Sequence, residues 1–220
     1  MKKIPAKVIT EKIKSAYITS CVIADQELVS LLRKAITSET NNKARNVLKL
    51  ILENCRIAAS KKRPICQDTG MAVVFAEIGQ NVLITGGELE QAIHQGIGLA
   101  CREGYLRASV VDPLSRKNTG NNAPAVIHTK VVPGNALKLT VIPKGFGSEN
   151  MGQVKMLRPG AGIGGVIEFV TEAVKKAGAN PCPPMIIGVG IGGTLDKAAL
   201  LAKEALFGIG KPLKAGKSIR

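Results

Sequence analysis

The sequence predicts an α/β fold of α+β character, with an N-terminal helical layer followed by a mixed β-sheet and packed helices. Three observations lead there. Segments of helical period follow one another before residue 60 with no strand pattern between them. An almost continuous apolar run of strand length then begins at Met71. From that point strand-length and helix-length segments alternate as far as Phe207. Residues 1–207 read as a single domain, and the basic stretch 208–220, rich in Lys and Gly, reads as a mobile tail.

Each element has its own signal. From about Thr10 to Ala24, Ile13, Ala16, Tyr17, Ser20, Cys21 and Ala24 recur at helical spacing. Asp25 is placed to cap a second helix with Leu28, Leu31, Leu32, Ala35 and Ile36 on its apolar face. After a polar break at residues 37–42, a third helix of about Lys43 to Ser60 carries Ala44, Val47, Leu48, Ile51, Cys55 and Ala58 on one side. Met71–Ile78 and Val82–Thr85 are strands, and Glu88–Glu103 is a helix with Ala92, Ile93, Gly96, Ile97 and Ala100 inward. Residues 117–125 are dense in turn formers and predict an ordered polar loop. Val126–Val132, the turn Pro133-Gly134-Asn135 and Leu137–Ile142 predict a β-hairpin. A glycine-rich turn at 144–150 leads on to a helix of about Gly165 to Ala177, a strand Met185–Val189 and a helix Leu195–Phe207.

Composition narrows the function classes. The chain has 220 residues, 45% of them hydrophobic, with only four Phe, two Tyr and no Trp, so its core is aliphatic. A net charge of +15 suits attraction of anions. The basic residues are spread along the chain without interleaved aromatics, which argues against nucleic acid. Five cysteines without a CxxC pair fit neither a secreted disulfide framework nor a zinc site, and point to a reducing, cytoplasmic setting. Glu11, Lys12 and Lys14 interrupt the apolar run that a signal peptide needs, and no stretch approaches membrane-spanning length.

The chemistry concentrates at Cys66-Gln67-Asp68-Thr69-Gly70 and at Cys182-Pro183-Pro184. Cys66 and Cys182 both fall in irregular, proline-flanked backbone, where core packing does not explain a thiol. A thiolate is the soft ligand that iron in a cluster prefers. Two distant cysteines can equally be unrelated. Cys21, Cys55 and Cys101 fall on or beside helical core faces. Asp68 offers a general base, or the cap of its own turn, with the amide of Gln67 beside it. Gly188, Gly190 and Gly193 form a GxGxxG between a strand and a helix. No acidic residue stands about twenty positions on, so an anion-binding helix start and simple tight packing both remain open. The turn at 144–150 is a second candidate anion cradle, and Arg107 a bidentate fork for a carboxylate.

These motifs, in this order, carry a resemblance. Pro64 to Gly70, Gly104-Tyr105-Leu106-Arg107, Val110 to Leu114, Asn118-Thr119-Gly120, Pro124-Ala125, Gly147 to Met151 and Cys182-Pro183-Pro184 together resemble the α subunit of class I fumarate hydratases. Tartrate dehydratase α subunits are similar. The resemblance spans residues 1–207.

The resemblance implies a hydro-lyase that reversibly hydrates fumarate to malate on an oxygen-sensitive [4Fe–4S] cluster, one iron of which acts as a Lewis acid. It implies Cys66 and Cys182 as two cluster ligands, Gln67 and Asp68 as catalytic residues, and Arg107 and Gly147 as substrate-binding residues. It places the third cluster cysteine beyond residue 220 and the rest of the catalytic machinery on a β subunit, without which this chain is inactive. Phe146 and Gly152 depart from the family pattern, as does the sequence after Phe207. The alternatives are an L-tartrate dehydratase α subunit, and a fragment without a cluster that serves only to bind a partner.

Overall fold

The computed structural model describes residues 1–182 and 184–209. It divides into two compact units, Met1–Phe146 and Gly147–Arg220. The expected tail falls outside the described residues from position 210 onward.

The first unit begins with a short strand that the periodicity did not disclose. β1 (Lys2–Pro5) pairs in parallel with β3 (Val82–Thr85), in register from Lys2 with Val82 to Pro5 with Thr85. Four residues are too few for an alternation to stand out. The helical layer follows: α1 (Ala6–Val22), α2 (Gln26–Ser38) and α3 (Asn42–Lys61). Asp25 caps α2 as expected, accepting from the Glu27 N–H at 2.7 Å, and Asn41 caps α3 by accepting from Lys43 and Ala44. The buried stripe of α1 is Ala6, Ile9, Thr10, Ile13, Tyr17 and Cys21, whereas Ala16, expected on it, is exposed. On α3, only Cys55 and Ala58 of the predicted face are buried.

α4 (Leu89–Glu103) lies against α1 and buries Ala92, Ile93, Gly96, Ile97, Ala100 and Cys101. The two helices approach closely because position 96 is a glycine. A Cβ there would stand 2.7 Å from both the Thr10 carbonyl oxygen and the Ile13 side chain. The Thr10 hydroxyl donates across this contact to the Ala92 carbonyl at 3.0 Å. Ile9, Ile13, Ile93 and Ile97 are all but inaccessible, and each such side chain contributes roughly 1.5–3 kcal/mol of transfer free energy.

The three-stranded sheet corrects the expected hairpin. β4 (Val126–Val132) and β5 (Leu137–Lys144) do not pair with each other. β2 (Met71–Gly79) runs between them, parallel to β4 and antiparallel to β5. β2 is the most apolar strand of this sheet, with Ala72 to Ala76 all buried, and an interior strand needs a ladder on both edges. The segment 133–136 therefore rounds the end of β2. There Gly79, Gln80 and Asn81 donate to the carbonyls of Ala136, Val132 and Gly134.

The second unit contains a 3-10 turn at Pro159–Ala161, α6 (Gly162–Ala177) and α7 (Leu195–Leu206), with α5 (Phe146–Glu149) at the junction of the units. The predicted strand Met185–Val189 is absent. That segment has no ladder partner among the described residues and lies along α7. A Cβ at Gly188 would stand 2.1 Å from the Ala202 carbonyl oxygen, and one at Gly190 would stand 2.0 Å from that of Ala198. Strand-like sequence is realised as a strand only where another strand is available to pair with it.

Candidate active site

The turn carrying Cys66, Gln67 and Asp68 is held from below by the helical layer. α3 ends in a left-handed cap at Lys62, and the Arg63 N–H donates to the Ala58 carbonyl. The Ile65 N–H then donates to the Cys21 carbonyl at the end of α1 at 2.9 Å, and the Asn54 amide donates to the Ile65 carbonyl at 2.8 Å. Two helices thus fix the backbone immediately before the thiol.

Cys66 is exposed, and its sulfur accepts the Asp68 N–H at 3.4 Å while its thiol points to the Gln67 Oε1 at 3.5 Å. Backbone N–H donation to sulfur is one of the means by which proteins tune cluster thiolates. Asp68 uses both oxygens. Oδ1 accepts from the Gly70 N–H at 3.0 Å, closing the local turn, and Oδ2 accepts from the Phe146 N–H at 2.8 Å, across 78 residues of sequence. The turn-capping role open in the sequence is therefore real, and the same carboxylate also fastens the turn to the end of β5. Each oxygen keeps a further lone pair for a proton or a substrate hydroxyl. Lys144, next to this junction, is buried.

Gly70 is required here. Its φ is +67°, and a Cβ would stand 1.9 Å from the Lys144 carbonyl oxygen. Below the turn, the hydroxyls of Tyr17 and Thr69 are buried with no partner among the described residues. Burial pushes the Tyr17 phenol well above its ordinary range, with Cys21, Cys101 and the Asp68 carboxylate adding to the shift.

Arg107 stands on a separate loop of the same unit. It is exposed, and no ion pair to its guanidinium occurs among the described residues. Its backbone is tied to the expected polar loop. Asn118 donates to the Ala108 carbonyl at 2.8 Å, and the Thr119 N–H and hydroxyl both reach the Val110 carbonyl. Asp112 accepts from the Ser115 N–H, the Ser115 hydroxyl and the Leu114 N–H, and these bonds, the Ser115 N–H foremost, hold its carboxyl below the usual range. Asn122 is wholly buried within this loop. Sequence reasoning missed its role, since in a run of turn formers nothing marks one amide as interior. A cavity of about 780 Å³ lies on the α4 side of this loop, lined by His94, Gly98, Leu99, Arg102, Leu106 and Ala108 among others, without the Cys66 turn.

In the second unit, Gly147 and Cys182 are both exposed. A Cβ at Gly147 would stand 3.1 Å from the Asn180 carbonyl oxygen, and the Asn180 amide reaches the Met151 sulfur at 3.5 Å. Cys182 has φ of +60°, and its N–H donates to the Ala179 carbonyl. Lys203 on α7 bonds to Glu149, fixing the end of the glycine-rich turn. Gly188 and Gly190 of the GxGxxG serve the packing of residues 188–190 onto α7, the plainer of the two readings the sequence left open.

The remaining thiols are of another kind. Cys21, Cys55 and Cys101 are buried. Burial pushes the Cys21 thiol up to about 12 and raises the other two as well, which disfavours the thiolate that a metal needs. Among the described residues no group of three or more His, Cys, Asp or Glu side chains is placed to hold a metal ion.

The family model described as "Fumarate hydratase (Fumerase)" matches residues 10–216. The chain belongs to the fumarate hydratase family. Family membership agrees with the resemblance carried by the motifs. Among curated relatives of this fumarate hydratase family chain, a Methanocaldococcus jannaschii protein named "Putative L(+)-tartrate dehydratase subunit alpha" is 38% identical over 207 residues, covering 90% of this chain and 72% of that one. The "L(+)-tartrate dehydratase subunit alpha" of Escherichia coli strain K12 is 29% identical over 185 residues, covering 82% of this chain. The chain spans 61% of that subunit's length. No helix among the described residues is long and apolar enough to cross a membrane.

Proposed function

We propose that this chain is the α component of an iron–sulfur hydro-lyase that adds water to, or removes it from, a four-carbon dicarboxylate. The single observation that carries the reading is the Cys66–Gly70 turn. It presents an exposed thiol and a carboxylate side by side on backbone fixed by α1, α3 and β5, within a chain of the fumarate hydratase family.

The donor set fits a cluster in part. Cys66 and Cys182 are the exposed thiols, both in irregular backbone, and the buried three are unsuited, so the third ligand of a [4Fe–4S] cluster comes from outside the described residues. When bound, the cluster supplies an electrophilic iron that polarises substrate oxygens. Asp68, oriented by two backbone N–H groups, moves the proton. Gln67 holds a substrate oxygen, and Arg107 and Gly147 bind carboxylate. The excess of basic residues draws the dianion in. The word "subunit" in the relatives' names supports a β partner that completes the site, and activity requires it. The free thiols suit a reducing cytoplasm.

Fumarate and malate are the first substrates proposed. A second reading, L(+)-tartrate, is favoured by the names of the relatives. The test is iron and acid-labile sulfide content after anaerobic reconstitution with the β partner, followed by turnover of both substrate pairs. Cys66→Ser should lose the cluster and Cys55→Ser should keep it. Equal occupancy in the two variants overturns the ligand assignment, and turnover of neither pair overturns the activity.

A further inference from the structure

Asn122 is the most completely buried polar side chain of the first unit, with 0% exposure, and its backbone adopts a φ of +58°. Three of its four hydrogen bonds are directed at the loop that carries Arg107, and the fourth at the end of α4. Oδ1 accepts from the Ser109 N–H at 2.5 Å and from the Val110 N–H at 3.1 Å. Nδ2 donates to the Arg107 carbonyl at 2.7 Å and to the Cys101 sulfur at 3.7 Å. The Cys101 thiol in turn donates to the Leu106 carbonyl at 3.2 Å. One buried amide, seconded by one buried thiol at the end of α4, therefore holds the main chain from Leu106 to Val110.

We infer that Asn122 is a positioning residue for the substrate carboxylate, acting through Arg107. Binding a carboxylate through a guanidinium depends on the fork meeting both oxygens, so a small displacement of the residue's backbone costs affinity out of proportion to the movement. Arg107 itself is exposed, and the loop's attachment to the core is what locates its Cα. The amide supplies both an acceptor for two converging N–H groups and a donor for a carbonyl on the opposite side. Aspartate keeps the shape and the acceptor but turns the donor into a second oxygen facing the Arg107 carbonyl. The inference rests on the reading of Arg107 as a carboxylate ligand.

The experiment is a cycle on the cluster-loaded complex with its β partner: Asn122→Ala, Arg107→Ala and the double variant, each titrated calorimetrically with fumarate and with L(+)-tartrate. Turnover and thermal midpoint are measured alongside. Asn122→Asp is carried in parallel in case the alanine variant does not fold. The expected result is weaker binding by about 10- to 100-fold in Asn122→Ala or Asn122→Asp, with a smaller change in kcat, and no further weakening when either is added to Arg107→Ala. If Arg107→Ala binds as tightly as the wild type, the carboxylate reading of Arg107 fails and the inference with it. If Arg107→Ala weakens binding but the Asn122 variants do not, the inference alone fails. Multiplicative losses in the double variant overturn it too, since they make Asn122 a structural residue acting independently of Arg107.

Discussion

Asp68 Oδ2 accepts the Phe146 N–H at 2.8 Å, joining the turn before β2 to the turn after β5. The register of the sheet makes this bond possible. Met71 stands opposite Lys144 in the antiparallel ladder, so the residues just before one strand and just after the other emerge side by side. A carboxylate there can bind two main-chain N–H groups and still face solvent with its remaining lone pairs.

Replacing Asp68 by Asn tests both parts of that arrangement. The amide retains one acceptor oxygen, but its NH2 must face either the Gly70 or the Phe146 N–H. Stability should fall by about 1–3 kcal/mol from the orphaned donor. Turnover by the reconstituted complex should fall by at least ~100-fold if Asp68 moves the proton. Urea midpoints and kcat measured together separate the two effects. A stable variant with unchanged turnover would remove Asp68 from the mechanism.

Gly70→Ala should be among the more damaging single substitutions in the first unit. It combines a left-handed φ with a clash against the Lys144 main chain, which cannot rotate away as a side chain could. A loss of about 3 kcal/mol or more is expected in denaturant unfolding. The Asp68 to Phe146 bond should loosen as well, with accelerated hydrogen exchange at the Phe146 amide as the local readout.

Alkaline stability should be governed in part by Cys21. Its folded pKa is raised to about 12 by burial, so the unfolded chain loses that proton first. The contribution is fully present below the unfolded thiol value of about 8.5 and is lost as pH rises from there toward the folded value. The expected slope is up to about 1.4 kcal/mol per pH unit for this one group. Cys21→Ala should flatten the decline between about pH 9 and pH 10 in anaerobic urea titrations. An unchanged slope would show that other groups carry it.

Much of this protein was legible in its sequence because much of it is local. The amphipathic stripes of α1 and α4, the Asp25 cap, the apolar run of β2 and the placement of Cys21, Cys55 and Cys101 in the core all follow from spacing, which is a property of one segment at a time. The motifs from Cys66 to Cys182 likewise sufficed to indicate the family. Strand partnership was different. The stretch 126–142 has the sequence of a hairpin, yet β2 takes the place between its strands, because the most apolar strand gains most from two ladders. Residues 185–189 look like a strand and have none among the described residues to pair with. Asn122 and Asp68 are polar residues among many, and what distinguishes them is which distant main-chain groups arrive beside them. Periodicity and residue type fix what each segment tends to be. Tertiary structure alone decides which donors and acceptors meet across 78 residues of chain, because hydrogen bonds depend on proximity in space.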